Sequence, residues 1–204
     1  MIRNNKCENM HKIKQNELKE VGENAMRKPL KILFICHGNI CRSPMSEFIL
    51  KDMVKARGLE NEFYIESAAT TSEEIWNGVG NPIYPPARKC LQGHGIWYDS
   101  EKRARLLTRA DYDKFDYIIG MDAENRWDMQ RILGEGEQKD AKDSHTNAKN
   151  SQKAMSGSAN KVSLLLDFTD HPRDVADPWY TRNFEVTYKD VVEGCEAFLA
   201  SLNF

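Results

Sequence analysis

The stretch KILFICHGNICRSPMSE, Lys31 to Glu47, decides how the rest of the chain is read. It opens on four consecutive apolar residues, Ile32-Leu33-Phe34-Ile35. It then passes through Cys36-His37-Gly38-Asn39-Ile40-Cys41-Arg42 and enters a helix-like pattern at Ser43-Pro44. A strand that leads through a short loop into a helix aims backbone N–H groups at an anion. Cys36 supplies such a loop with a nucleophile, since the thiolate is the working form of cysteine. The helix start, the Ser43 hydroxyl and the Arg42 guanidinium all favour that charged form. Arg42 offers a planar, bidentate match to two oxygens of a tetrahedral oxyanion, which lysine would not replace well. Gly38 permits a close backbone approach, Asn39 tolerates the left-handed region, and Pro44 suits the first turn of a helix.

Each residue alone has a plainer reading. A cysteine at a strand end is ordinarily a small buried hydrophobe, and an arginine six residues on is a common coincidence. What favours a site is the agreement of strand, loop and helix signals around one string.

That string resembles the phosphate-binding loop of the low-molecular-weight protein tyrosine phosphatases, a Cys-x5-Arg-Ser loop spanning Cys36 to Ser43 here. The family's second motif, Asp-Pro-aromatic-aromatic near the C-terminus, is matched by Asp177-Pro178-Trp179-Tyr180. Weaker matches lie between them, among them Glu66-Ser67-Ala68-Ala69-Thr70, His94-Gly95-Ile96 and Phe115 to Asp122. The resemblance runs from about Leu30 to Leu202. It implies a phosphotyrosine-hydrolysing enzyme with Cys36 as nucleophile, Arg42 as transition-state clamp and Asp177 as general acid. His37, Gly38, Asn39, Ile40, Cys41 and Ser43 are expected to bind the phosphate or line its loop. Trp179 and Tyr180 are expected to form one wall of a slot for the substrate ring and Trp76 the opposite wall, although each of the three also reads as a core aromatic. Ile40 fits the phosphotyrosine branch, because members acting on phosphoarginine are expected to carry threonine there. Cys41 either forms a reversible disulfide with Cys36 or simply packs beside the loop. Asp122, Asn125, Arg105 and His94 match family positions but read as structural. Lys102 departs from the family, which often has a histidine there supporting the loop. No metal and no cofactor are implied.

Composition agrees with one α/β domain. The chain has 204 residues, ordinary apolar content and a formal charge of -2, which gives no sign of a nucleic-acid partner. No apolar run approaches the ~18 residues of a membrane span. The five cysteines, at 7, 36, 41, 90 and 195, show no disulfide or zinc-finger spacing, and a reduced cytoplasmic monomer is expected. Residues 1–28 carry seven Lys or Arg against four Glu with few apolar positions, and read as a disordered or loosely helical extension to a domain over 29–204. Residues 134–161 hold no Val, Ile, Leu, Phe, Tyr or Trp and read as a polar surface insertion.

Elsewhere strands are expected at Lys31–Ile35, at Phe63-Tyr64-Ile65 ending in Ser67-Ala68-Ala69, at Phe115–Met121 and at Val162–Leu166. Helices are expected from Pro44 to Ala56, from Pro85 to Leu91, from Asp122 toward Leu133 and from Phe184 to Leu202. The interval from Thr70 to Tyr84 reads as a loop. Alternating strands and helices imply a central four-stranded parallel sheet flanked by helices on both faces, with the ligand loop at the carboxyl end of the first strand. Two other functions stand beside this one. An arsenate reductase on the same fold needs two further cysteines close together after the loop, and only the widely separated Cys90 and Cys195 follow Cys41. A silent phosphate-binding module would not need Cys36, Arg42 and Asp177 all intact.

Overall fold

The structure, a computed structural model, describes residues 28–134 and 161–202. Apart from Lys28, Gly134 and Lys161, the extension and the insertion expected from the sequence lie outside the described residues.

Strand β1 (Leu30–Cys36) is the centre of the molecule. It pairs in parallel with β2 (Phe63–Ala69) on one side and with β5 (Tyr117–Gly120) on the other, and β6 (Val162–Leu164) extends the sheet beyond β5. The order is β2-β1-β5-β6 with all strands parallel, as expected. Ile32, Leu33, Phe34 and Ile35 are all fully buried, because a central parallel strand is covered on both faces. Alternate side chains go to opposite layers. Ile32 and Phe34 join Met45 and Phe48 of α1 (Arg42–Ala56) and Val191 and Phe198 of α6 (Phe184–Ser201). Leu33 and Ile35 join Met129 and Leu133 of α4 (Ala123–Leu133).

Local chemistry sets the ends of these helices. Asp122 caps α4 by accepting from the Asn125 N–H at 2.7 Å, and Gly134 closes it in the left-handed region. Helix α2 (Pro85–Gly93) begins at a proline, as the sequence suggests. Asn183 caps α6, and Asp177 caps the single turn α5 (Pro178–Thr181).

The structure differs from the sequence reading in three places. The interval expected as a loop contains a small hairpin, β3 (Ile75–Trp76) and β4 (Val79–Gly80). Its turn residues Asn77 and Gly78 both have positive φ, 50° and 78°, the tight turn that matches strand twist. The strand expected from Phe115 is shorter, because Phe115 ends a helix the sequence reading lacked, α3 (Arg109–Lys114). Thr108 and Asp111 start that helix with reciprocal hydrogen bonds. The last strand stops at Leu164, where Asp167 accepts from the Leu164 N–H at 3.0 Å and draws Leu165–Phe168 into a 3-10 turn.

The sheet gives the molecule two poles. All four strands end toward the loop that follows Cys36. The described chain enters β1 after Lys28 and β6 after Lys161, and leaves α4 at Gly134, all toward the amino ends of the strands. Among the described residues no helix is long and apolar enough to cross a membrane.

Candidate active site

The loop at the carboxyl end of β1 is tied to the sheet through its first two carbonyls. Thr70 N–H donates to Cys36 O at 3.0 Å and Thr71 N–H to His37 O at 3.1 Å. Asn39 then takes the left-handed conformation, φ 56°, and its buried side chain braces the turn. Its amide nitrogen donates to Ser43 Oγ at 2.9 Å and to Ser67 Oγ at 2.8 Å, while its Oδ1 accepts from the Arg105 N–H at 3.2 Å. Ser43 Oγ is in turn 3.1 Å from Cys36 Sγ. Helix α1 starts at Arg42 with no side-chain cap and no acidic residue in its first turn. Its N–H groups and positive dipole end therefore favour an anion over the loop.

Arg42 is almost completely buried and lies between two carboxylates. One guanidinium nitrogen bonds Asp122, and the other lies 2.7 Å from Asp177 Oδ2. Burial works against its charge, but Cys36, Asp122 and Asp177 outweigh that and hold Arg42 firmly protonated. Asp177 also accepts from the Trp179 N–H through Oδ1 at 2.8 Å. One carboxylate thus caps α5 and reaches the loop at the same time. The fold brings together Cys36, Arg42 and Asp177, the three residues that the sequence motifs single out for chemistry.

The segments that lead into the hairpin and into α5 border the loop. His37 Nε2 lies 3.0 Å from Glu73 Oε2. A Cβ added to Gly38 would sit 2.8 Å from Glu74 Cγ, so glycine leaves room for that side chain against the loop. Tyr84 N–H donates to Ile40 O at 2.9 Å and holds the far side. Trp76, Trp179 and Tyr180 are 71%, 75% and 83% exposed. None is a core aromatic, which removes that alternative for all three.

Behind the loop lies a polar chain that sequence reasoning left incomplete. Ser67 Oγ donates to Glu47 Oε2 at 2.6 Å, and Lys102 Nζ lies 2.8 Å from the same oxygen. Lys102 at the position where the family often has histidine therefore keeps a cation in the network, running through Glu47, Ser67 and Asn39 to Ser43 and Cys36. Asp122, read from the sequence as a structural cap, also grips Arg42. The only signal for that second contact was its position just past a strand end, where ligand-side residues gather. Arg105 is structural at its side chain, bonded to Glu66 and Asp111, but its backbone supports Asn39. Asn125 donates its cap N–H to Asp122, and its Oδ1 accepts from the Met121 N–H at 3.2 Å. His94 lies elsewhere, against Glu185.

The remaining described cysteines have different surroundings. Cys41 has its thiol pushed well above the ordinary cysteine range by burial and by its neighbours Cys36 and Asp177. Cys195 is raised by burial in the core. Cys90 is raised to about 11 by burial and Glu185. All four described cysteines are free thiols.

Comparison with known proteins gives a consistent picture. A family model described as low molecular weight phosphotyrosine protein phosphatase matches residues 31–143. The chain is 35% identical over 175 residues to the low molecular weight protein-tyrosine-phosphatase YfkJ of Bacillus subtilis, covering 85% of this chain and 96% of that one. It is 34% identical over 170 residues to the low molecular weight phosphotyrosine protein phosphatase of Gallus gallus, covering 82% and 92%. The crystal structure of YfkJ superposes with a TM-score of 0.70 at 33% identity, over 86% of this chain and 95% of that one. A structure of a drosophila arginine phosphatase superposes with a TM-score of 0.66 at 27% identity, over 86% and 99%.

Proposed function

The chain belongs to the low molecular weight phosphotyrosine protein phosphatase family, and on that premise we propose that it hydrolyses phosphotyrosine in proteins through a phosphocysteine intermediate. One observation carries the reading: Asp177, from near the end of the chain, reaches the guanidinium of Arg42 on the loop that begins with Cys36.

Cys36 Sγ attacks phosphorus in line with the bond to the tyrosine oxygen. Arg42 and the N–H groups of the loop and of α1 hold the three equatorial oxygens as charge spreads over them. Asp177, in its protonated form, gives its proton to the departing phenolate, so the P–O bond breaks as the P–S bond forms. The Asp177 carboxylate then takes a proton from water, which attacks phosphorus and returns the thiolate and inorganic phosphate. Ser43 and Asn39 keep the sulfur and the turn in position. The exposed Trp76, Trp179 and Tyr180 fit contacts with an aromatic ring and its flanking peptide.

Ile40 favours this reading over action on phosphoarginine. An apolar side chain in mid-loop suits a phenyl ring and offers a guanidinium no acceptor. A working thiol also suits a reducing compartment, which favours a cytoplasmic location.

The test is phosphate release from para-nitrophenyl phosphate and from a phosphotyrosine peptide at mildly acidic pH with EDTA present. Cys36→Ser is expected to abolish turnover while still binding phosphate. Asp177→Ala is expected to lose about 10²–10⁴-fold, and more with the peptide, since tyrosine leaves as the stronger base. Turnover by Cys36→Ser, or an Asp177→Ala enzyme as fast as the parent on both substrates, would sink the assignment.

A further inference from the structure

Away from the phosphate loop, the end of α2 and the start of α6 bring together three side chains of metal-binding type. Cys90 and His94 are four residues apart, so one helical turn sets them on the same face. The His94 N–H still donates to Cys90 O at 3.2 Å, and Gly95, with φ 72°, turns the chain away at once. Glu185 comes from the first turn of α6, where the Asn183 cap holds its N–H at 3.1 Å. Its carboxylate lies between the other two groups. Oε1 is 3.5 Å from Cys90 Sγ, and Oε2 is 2.9 Å from His94 Nε2. All three ligand atoms lie within 4.8 Å of one another. Tyr188, one turn further along α6, stacks on the imidazole with centroids 3.6 Å apart and planes 7° from parallel, which fixes the ring's orientation.

An ordinary surface ion pair would account for His94 and Glu185. It makes no use of the buried Cys90 thiol, which lies 3.5 Å from the same carboxylate and 3.7 Å from Phe184 O. Thiol, imidazole and carboxylate form a mixed donor set that suits Zn²⁺ rather than Mg²⁺ or Ca²⁺, which prefer all-oxygen shells. Bonds of roughly 2.0–2.3 Å at tetrahedral angles place neighbouring donors about 3.3–3.5 Å apart. The 3.5 Å between Cys90 Sγ and Glu185 Oε1 falls in that range, the 2.9 Å between His94 Nε2 and Oε2 is shorter, and the whole set spans no more than 4.8 Å, so small side-chain adjustments bring the donors to such a geometry.

We propose that Cys90, His94 and Glu185 form a zinc-binding site separate from the phosphate loop, with water as the fourth ligand. Binding replaces the Cys90 thiol proton by the metal and releases that proton to solvent. The imidazole binds neutral through Nε2, and no electrons are transferred. The His94 and Glu185 side chains are 33% and 57% exposed, so an ion reaches the site from solvent. Once bound it ties α2, which follows the Tyr84 contact to the phosphate loop, to α6, which follows the Asp177 segment.

The deciding experiment uses the full chain carrying Cys36→Ser, so that the catalytic thiol cannot contribute, titrated with Co²⁺ as a spectroscopic probe. The expected result is a thiolate-to-cobalt charge-transfer band that saturates near one equivalent and vanishes when Cys90→Ser is added. Zn²⁺ affinity, read by competition with a chromophoric chelator, is expected to fall at least about tenfold in His94→Ala and in Glu185→Gln. These two positions are partly exposed, so their variants keep the test decisive even where Cys90→Ser disturbs packing. Absence of the band, its survival in the Cys90→Ser variant, or unchanged Zn²⁺ affinity in both single variants overturns the proposal.

Discussion

Arg42 is held by two carboxylates before any anion reaches it. An arriving phosphate has to share the guanidinium with Asp177 and Asp122, and its own negative charge lies close to theirs. At 4 Å two unit charges interact by about 4 kcal/mol at an effective dielectric near 20. Removing one of those charges is therefore worth at least about tenfold in anion affinity. Asp177→Asn preserves the side-chain oxygen that caps α5 and removes the charge. We expect phosphate and vanadate to inhibit this variant at least about tenfold more tightly near pH 7, while turnover falls. Weaker inhibition than in the parent would mean that Asp177 does not compete for Arg42. The meeting of Cys36, Arg42 and Asp177 was legible in the sequence because each belongs to a contiguous string with its own local logic. The grip of Asp122 on Arg42 and the path from Lys102 through Glu47 to Ser67 were not. They join positions far apart in the chain, and only the sheet order β2-β1-β5 brings them together.

At the scale of elements, helix α6 meets the 3-10 turn after β6 at Gly194. A Cβ added there would lie 2.5 Å from Leu165 Cγ and 3.1 Å from Leu165 O. In an open helix Gly→Ala gains up to about 1 kcal/mol, but overpacking costs roughly 1–3 kcal/mol. Gly194→Ala is thus expected to lower the urea midpoint. Gly93→Ala, at the end of α2 where nothing lies within 4 Å, should leave the midpoint unchanged or raise it. The same contact explains why the sequence overstated β6. An apolar run cannot by itself say where a strand stops, and the stop depends on Asp167 turning back to Leu164 and on Leu165 packing against Gly194. The long strand β1 and the capped helices were readable, since hydrophobic pattern and end signals agreed. The hairpin carrying Trp76 had its signal in Asn77-Gly78, but its strands are two residues each and too short to show a period.

For the whole molecule, ionisable groups set the pH range over which the fold is stable. Burial opposes ionisation of Glu66, but its hydrogen bonds to Tyr64, Arg105 and Lys114 prevail and lower its pKa. Glu193 is lowered by its bonds to Arg173. A lowered carboxylate stabilises above its unfolded value, and that stability is lost as pH falls through the folded one. The thiols of Cys41, Cys90 and Cys195 are raised, chiefly by burial. Their contribution is present below the unfolded thiol value and is lost as pH climbs toward the folded one. Denaturant midpoints measured against pH should therefore hold level between roughly pH 4.5 and 8.5 and fall on both sides. A midpoint still rising above pH 9 would contradict this account.

The two poles of the sheet bear on the same scale. Residues 134 and 161 and the start of β1 face away from the phosphate loop. Replacing 135–160 by a short Gly-Ser linker should leave kcat/KM for a small aryl phosphate within about twofold. A larger loss would indicate that the insertion reaches the chemistry. This geometry separates the chemistry of the chain from its points of entry. If the linker variant behaves as expected, one end of the molecule answers to the chemistry of the loop, while the other can lengthen, shorten or accept a grafted reporter domain without retuning the reaction.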